Sequence, residues 1–242
     1  MRFTVAFVVF VLGTTAWGME PAEIVRRMEA NTVFKTASYE GSFTITDSFG
    51  SRQKTFKAQS MGTDKMLVEF TNPEEAGQKI LRSGDEIYLY YPEAEEVIRL
   101  QGSGLKDSVM GSDLSYEDFT GEKNLLDLYT VALEGTEKVD GRDCYVLKLT
   151  ARKKQIAYAQ ARMWVDAELF VSRKAVYFSL AGKPVKEMEV KEVQTISSRH
   201  IPTSIQMRDL MRKNSSTAFQ IRKIAIDVKI DPKVFSREEL SW

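Results

Sequence analysis

The hydrophobic pattern of this chain changes near Ala37 from a helical period to a period of two. From there, short runs alternate apolar and polar positions, as in Phe43 and Ile45 among serine and threonine. Glycine, asparagine, aspartate and proline separate the runs, and Asp140-Gly141 between two of them is typical of a two-residue hairpin turn. The pattern predicts a mainly β protein of about eleven antiparallel strands.

One helix precedes the strands. Pro21 suits a first helical position, and Asn31 is a plausible stop. Between them Ile24, Val25 and Met28 form an apolar stripe. We therefore expect this helix to pack its stripe on the sheet.

Several predicted strands carry apolar groups on both faces. In one of them Ile87, Leu89 and Tyr91 point one way, while Tyr88 and Tyr90 point the other. A sheet with one face in water would show polar residues on that face. Either both faces are covered, or one of them lines a cavity.

The first 18 residues have the pattern of a secretory signal peptide. A basic Arg2 precedes an apolar run over residues 3–12, and the small residues Ala16 and Gly18 precede the predicted cleavage after Gly18. The alternative is an uncleaved membrane anchor, but the apolar stretch is shorter than the ~20 residues that span a bilayer. We predict a periplasmic protein, with residues 19–242 as a single domain.

Composition excludes several classes of partner. The 34 basic and 34 acidic residues balance, which favours neither nucleic acid nor an anionic membrane surface as partner. Cys144 is the sole cysteine, so no intramolecular disulfide can form. Its position in an alternating run favours a buried apolar role over a reactive thiol.

The residues for catalysis are few. His200 is the only histidine, so a histidine-rich metal site is impossible, and we expect it to be an ordinary turn or surface residue rather than a functional one. Adjacent carboxylates such as Glu74-Glu75 would face opposite ways in a strand and indicate solvated charge. We predict no enzyme, cofactor or metal. A hydrolase would need a nucleophile and base that the motifs do not supply.

Residues 101–124 lack the period of two and are rich in glycine, serine and aspartate. Within them Ser115 is placed to cap a helical turn over residues 116–119, which indicates an ordered lid or plug. Asp113, Glu117 and Asp118 could bind a cation, but no calcium-loop spacing accompanies them. Capping and hydrogen bonding that hold the segment over the sheet are favoured instead.

Residues 110–119, the signature segment, closely resemble a motif of the LolA-like family of outer-membrane lipoprotein-sorting proteins. The residues that carry this resemblance, and that we predict to form a lid, are Gly111, Ser112, Asp113, Tyr116, Glu117, Asp118 and Phe119. The order of signal peptide, helix, strands, motif and further strands also matches.

The resemblance implies an open antiparallel half-barrel with helices or a loop plugging its concave face. It also implies a periplasmic carrier that holds the acyl chains of a lipoprotein or lipid, and some relatives work beside inner-membrane permeases. We expect a monomer. The candidate cavity residues are Met66, Val68, Phe70, Ile87, Leu89, Tyr91, Val176 and Phe178.

Two functions remain open at this point. A carrier transfers acyl-chain area out of water into an internal cavity. A non-enzymatic accessory or scaffold protein of a membrane permease would instead have an exposed apolar patch and a filled interior.

Overall fold

A computed structural model describes residues 18–120, 124–153 and 156–241. The segment predicted to be a signal peptide, apart from Gly18, lies outside the described residues. Within them the strands form one antiparallel sheet. Their bounds are β1 Phe34–Asp47, β2 Gly50–Gly62, β3 Lys65–Phe70, β4 Lys79–Ser83, β5 Glu86–Tyr91, β6 Glu96–Leu100, β7 Tyr129–Val139, β8 Arg142–Ala151, β9 Gln160–Asp166, β10 Ser172–Phe178, β11 Pro184–Ile196, β12 Arg199–Asp209 and β13 Ser216–Ile226.

The sheet is open, as predicted. Its strand order is β6-β5-β4-β3-β2-β1-β13-β12-β11-β10-β9-β8-β7, so β6 and β7 are edges that do not pair with each other. Over the described residues there are thirteen strands rather than about eleven, and the shortest, β4 and β6, have five residues each. The predicted half-barrel is confirmed.

The opening helix α1, Pro21–Thr32, begins at the predicted proline. Ile24 and Val25 are fully buried against the concave face, where they join the cluster of Leu147 and Leu149. Two short helices follow in the middle of the chain. These are α2 Tyr116–Thr120 and α3 Leu125–Leu128.

Local sequence determines the tight turns. Asp140 and Gly141 have φ of 49° and 80°, the left-handed pair that a type I′ hairpin requires. Gly41 in β1 is required for close packing and not for a turn, because a Cβ there would lie 2.6 Å from the Phe56 ring. Its lack of a side chain lets that ring lie across the strand.

The C-terminal tail covers the convex face of β3–β6. Phe235 and Leu240, in short 3₁₀ turns, pack against Leu81 and Tyr88. This contact explains why β4 and β5 are apolar on both faces. Of the two possibilities left open by the sequence, a covered second face applies here.

On the other half of the convex face, charged side chains cover a small apolar cluster. Trp164 lies there with Cys144 and Val146, and its indole N–H donates to Glu137 at 2.7 Å. The Arg162 guanidinium lies 4.9 Å from the Trp164 ring centroid. Cys144 is buried, and burial raises the pKa of its thiol.

Candidate functional site

The signature segment begins α2 with reciprocal capping bonds. The Ser115 backbone N–H donates to the Asp118 carboxylate at 2.9 Å, and the Asp118 N–H donates to the Ser115 hydroxyl at 3.1 Å. This pair satisfies two donors that a helix start leaves free. The predicted capped turn is confirmed.

Asp113 ties the same segment to the sheet. Its backbone N–H donates to the Thr217 hydroxyl, that hydroxyl donates to its carboxylate at 2.8 Å, and the Asp209 N–H donates to the other carboxylate oxygen. Arg212 donates to the carbonyls of Gly111 and Ser112 at 3.0 and 2.9 Å. Among the described residues, no group of acidic, histidine or cysteine side chains has a metal-binding arrangement.

Asp118 has a second role across the cavity. It accepts hydrogen bonds from the Tyr158 hydroxyl at 2.9 Å and from the Lys186 ammonium. These contacts join α2 to β11 and to the segment before β9. The neighbouring Glu117 is different, because burial raises the pKa of its carboxyl group and no ion pair dominates.

Phe119, the last residue of the signature segment, inserts into the apolar interior. Its ring centroid lies 5.6 Å from that of Phe43, 5.5 Å from Phe56 and 6.3 Å from Phe70. Its ring meets Phe43 and Phe56 edge to face and stacks on Phe70, arrangements that are favourable for aromatic rings at these distances. Phe119 is therefore the plug that the sequence predicted.

Beside Phe119 the concave face over β1–β5, here called the packed half, is filled except where Tyr39, Ser60 and Met66 border open space. Four of the eight residues predicted to line a cavity lie in it, namely Val68, Phe70, Ile87 and Leu89, all buried. Tyr91 borders the same cluster, and its hydroxyl bonds that of Tyr116. Burial, followed by this contact, raises the pKa of Tyr116.

The concave face over β9–β12, here called the hollow half, has open space instead. A first hollow of about 320 Å³ lies between α1 and the sheet. Its apolar lining residues are Met28, Val33, Tyr39, Met66, Phe119, Leu125, Phe170, Val171, Met188, Val190, Pro202 and Ile205.

A second hollow of about 280 Å³ lies directly beneath the signature segment. Leu114, Asp118 and Phe119 form its roof. The remaining lining residues are Leu125, Met163, Tyr177, Met188, Ile205, Met207 and Phe219. Since Phe119, Leu125, Met188 and Ile205 line both spaces, the two hollows adjoin at the plug.

The other candidate cavity residues lie in different parts of the fold. Met66 lines the first hollow. Val176 does not reach either hollow in the described structure, because it packs on the convex face with Cys144 and Trp164. Phe178, two residues later, is half-buried at the end of β10. The correction follows from the pleat, which places Ala175 and Tyr177 on the cavity side.

Sequence reasoning missed the residues that surround the space most closely. Met188 and Val190 in β11, and Ile205 and Met207 in β12, alternate with polar neighbours. This alternation marks an inward face, but the sequence does not show whether that face meets side chains or open space. His200, expected to be an ordinary turn residue, lies at the rim of the first hollow.

Polar groups at this rim join α1 to its surroundings. The Asn31 amide donates to the carbonyls of Leu169 and Phe170 at 2.9 and 3.0 Å and accepts from the His200 N–H. The Glu29 carboxylate accepts from the Leu125 N–H at 2.7 Å, and burial raises the pKa of that carboxyl group. Apolar walls with a polar rim suit an amphipathic guest.

A model of a protein family described as "Uncharacterized protein" matches residues 62–242, about three quarters of the chain. The chain belongs to this family, and its fold is LolA-like. Among proteins with curated descriptions, none matches the sequence.

The LolA-like fold is assigned from its similarity to solved structures. A DUF1329 family protein from Desulfovibrio piger is 26% identical, with 90% of this chain and 96% of that chain covered and a TM-score of 0.84. An outer membrane lipoprotein-sorting protein domain from Vibrio parahaemolyticus, named as putative, is 19% identical, with 91% and 97% covered and a TM-score of 0.83. A LolA superfamily protein from Nitrosomonas europaea is 21% identical, with 92% and 100% covered and a TM-score of 0.78.

Proposed function

We propose that this LolA-like protein is a periplasmic carrier that binds the acyl chains of a lipoprotein or lipid and moves them between envelope membranes. The observation that carries the proposal is the pair of adjoining apolar hollows beneath the signature segment. A permease accessory without cargo would need no such internal space.

The lining of the hollows suits acyl chains of varied shape. Within the described residues, Met28, Met66, Met163, Met188 and Met207 line one or both spaces. They are half of the chain's ten methionines. Methionine side chains are unbranched and polarizable, so they adapt to irregular apolar guests.

The hydrophobic effect supplies the affinity. Each methylene that leaves water for the hollow half contributes about 0.8 kcal/mol. A guest also restores dispersion contacts that side chains beside an open space lack. The polar rim at Asn31 and Glu29 leaves a place for a headgroup at the edge of the apolar walls.

Cargo exchange requires the signature segment to move, because Phe119 separates the hollows and Asp118 holds α2 to the opposite strands. The contacts of Asp118 are polar, and the side chains of Asp118 and Lys186 are 9% and 12% exposed. The aromatic contacts of Phe119 are buried in the packed half. We infer that α2 opens at Asp118 while the packed half keeps it attached.

We also infer that the protein performs no chemistry on its cargo. The signature carboxylates of Asp113 and Asp118 accept several hydrogen bonds each, which occupies them in holding the segment. Glu75 pairs with Lys54 at 2.6 Å. These contacts support structural roles for carboxylates that an enzyme would leave free to exchange protons.

The proposal also covers the cellular location, domain organisation and oligomeric state of the protein. We infer that the segment before Met19 is a signal peptide, that residues 19–242 act as one monomeric domain, and that the protein works in the periplasm. The continuous sheet from β6 to β7 supports a single domain. In the described part of the chain, no helix is long and apolar enough to span a membrane.

Mass spectrometry of the natively purified protein, followed by lipid extraction, tests the carrier function. We expect a co-purifying lipid or acylated peptide, and saturable uptake of a fluorescent fatty acid. Met188→Trp places an indole where both hollows meet and should abolish this uptake.

The matched control is Ile98→Trp, which adds the same indole on a partly exposed position of edge strand β6. Uptake by this variant should equal that of the wild type. Absence of bound lipid and of uptake in the wild type would contradict the proposal, as would unchanged uptake in a folded Met188→Trp protein. Crosslinking to a permease without any lipid would favour the accessory function.

A further inference from the structure

The large apolar side chains that are most exposed lie together at one end of the sheet. Phe49 is 92% exposed in the β1–β2 turn, and Leu180 is 80% exposed in the β10–β11 turn. Met211 is 57% exposed and Leu210 45% exposed in the β12–β13 turn. Four of the five large apolar side chains that are exposed in the described residues thus share one end of the sheet, which singles out this end as a candidate interaction surface.

These turns are consecutive along the edge of the half-barrel. The strand order β2-β1-β13-β12-β11-β10 places the three hairpin ends side by side. Thr46 pairs with Ser216, and the Leu210 N–H donates to the Val185 carbonyl at 2.8 Å. We call this surface the apolar rim and define it by residues 47–52, 179–183 and 209–216.

The charge of the apolar rim differs from that of the whole chain. Its basic side chains are Arg52, Lys183, Arg212 and Lys213, and its acidic side chains are Asp47 and Asp209. Arg52 pairs with Asp47 at 2.8 Å, so the remaining balance is positive. The even total composition, which favoured no anionic membrane partner, conceals this local excess.

We propose that the apolar rim docks on the surface of an anionic phospholipid bilayer. Phe49, Leu180 and Met211 project from separate turns as single side chains, a form that inserts among acyl chains. Lys183 and Lys213 beside them can meet lipid phosphates. A protein partner would be better matched by a continuous packed patch.

The rim also touches the lid of the cavity. Arg212, which belongs to the rim, donates to the carbonyls of Gly111 and Ser112 in the signature segment. Docking would therefore place the segment that covers the second hollow close to the lipid surface. The proposal adds a membrane contact to the carrier function but does not depend on it, since docking is measured without cargo.

Vesicle flotation tests the proposal. The purified protein is mixed with phosphatidylcholine vesicles that either contain or lack phosphatidylglycerol, in low and in high salt. We expect flotation with the anionic vesicles, weaker flotation in high salt, and little with phosphatidylcholine alone. The triple variant Phe49→Ser, Leu180→Ser, Met211→Ser should bind about tenfold more weakly.

Two controls match these changes. Ile98→Ser removes an exposed apolar group outside the rim, and Lys229→Glu reverses an exposed charge outside the rim, for comparison with Lys213→Glu. Both controls should float as the wild type does, while Lys213→Glu should float less. Circular dichroism confirms that each variant is folded.

Several results would overturn the proposal. They are a wild type that does not float with anionic vesicles, equal flotation with uncharged vesicles, or equal flotation of the folded triple variant. A wild type that ignores vesicles but binds an acidic protein through the same rim would place a protein there instead of a membrane.

Discussion

The two halves of the concave face use the same kind of strand for different purposes. In the packed half, Phe43, Phe56 and Phe70 pack against Phe119 and fill the space on their side of its ring. In the hollow half, Met163, Met188 and Met207 face open volume. One signature segment covers both halves.

The two halves also differ in the interactions that stabilise them. Aromatic contacts stabilise the packed half, whereas polar contacts close the hollow half at its margins. Asp118 binds Lys186 and Tyr158 at one margin, and Asp166 binds Arg142 and Arg173 at another. One sheet can therefore combine a rigid base with a fillable space, since each is stabilised by its own kind of interaction.

Two alanine substitutions test the difference in packing between the halves. Phe43→Ala in the packed half should lower the free energy of unfolding by about 3–5 kcal/mol, because Phe43 is fully buried among other rings. Met163→Ala in the hollow half should cost only about 2 kcal/mol, because Met163 already borders a space. Urea unfolding measures both.

Equal losses in the two variants would show that the hollow half is as tightly packed as the other. The comparison would also fail if Phe43→Ala enlarged lipid uptake more than Met163→Ala does. Because both changes leave the surface unaltered, differences in solubility do not confuse the result.

A smaller loss of stability is expected on substituting Asp166, which lies in a cluster of ionic contacts. Asp166 accepts hydrogen bonds from Arg142, Arg173 and the N–H groups of Glu168 and Leu169. Burial opposes its ionisation, but these donors outweigh burial and hold the pKa of the Asp166 carboxyl well below its usual range. The turn that it holds supplies Phe170 to the first hollow.

Because the folded state lowers this pKa, the stabilisation is present above the unfolded pKa of about 3.9 and is lost as pH falls through the folded value. Asp166→Asn should therefore cost about 2–3 kcal/mol at neutral pH and progressively less in acid. Urea midpoints from about pH 7 to pH 3 measure this. The exposed Asp140→Asn serves as control and should show no such trend.

A pH-independent difference between the wild type and Asp166→Asn would argue against this account of the margin. The same would follow if Asp140→Asn showed an equal slope with pH.

The smallest effect on stability should come from the contacts that close α2. Asp118→Asn weakens the bonds to Lys186 and Tyr158 and should cost about 1–2 kcal/mol. Under the proposed function it should speed fatty acid uptake severalfold, because we infer that the segment opens at Asp118. Stopped-flow fluorescence measures the rate, and hydrogen exchange of residues 115–120 reports the opening.

Glu117→Gln is the neighbouring control. Burial raises the pKa of the Glu117 carboxyl, so a neutral amide replaces it with little loss. Uptake by this variant should keep the wild-type rate. If Asp118→Asn left the uptake rate unchanged, or if Glu117→Gln accelerated uptake equally, the role of Asp118 in closing α2 would be contradicted.

Neighbouring residues along the chain were enough to predict the strands, the tight turns and the local geometry of the signature segment. Period-two alternation and turn residues such as Asp140-Gly141 specify strands and hairpins within a few residues, and Ser115 with Asp118 specifies a capped turn in the same way. These features depend on neighbours along the chain. The pattern therefore contained enough information to predict a mainly β antiparallel protein, whereas the open half-barrel with a plug followed from the resemblance of residues 110–119 to the LolA-like family.

The location of the two hollows follows from three-dimensional packing and not from any local pattern. An inward-facing Val68 and an inward-facing Met188 have the same pattern in the sequence, yet one is packed under aromatic rings and the other borders a hollow. The C-terminal contact of Phe235 and Leu240 with the convex face was equally hidden. Filled and empty space depend on the summed volume of side chains from distant strands, which no local pattern records.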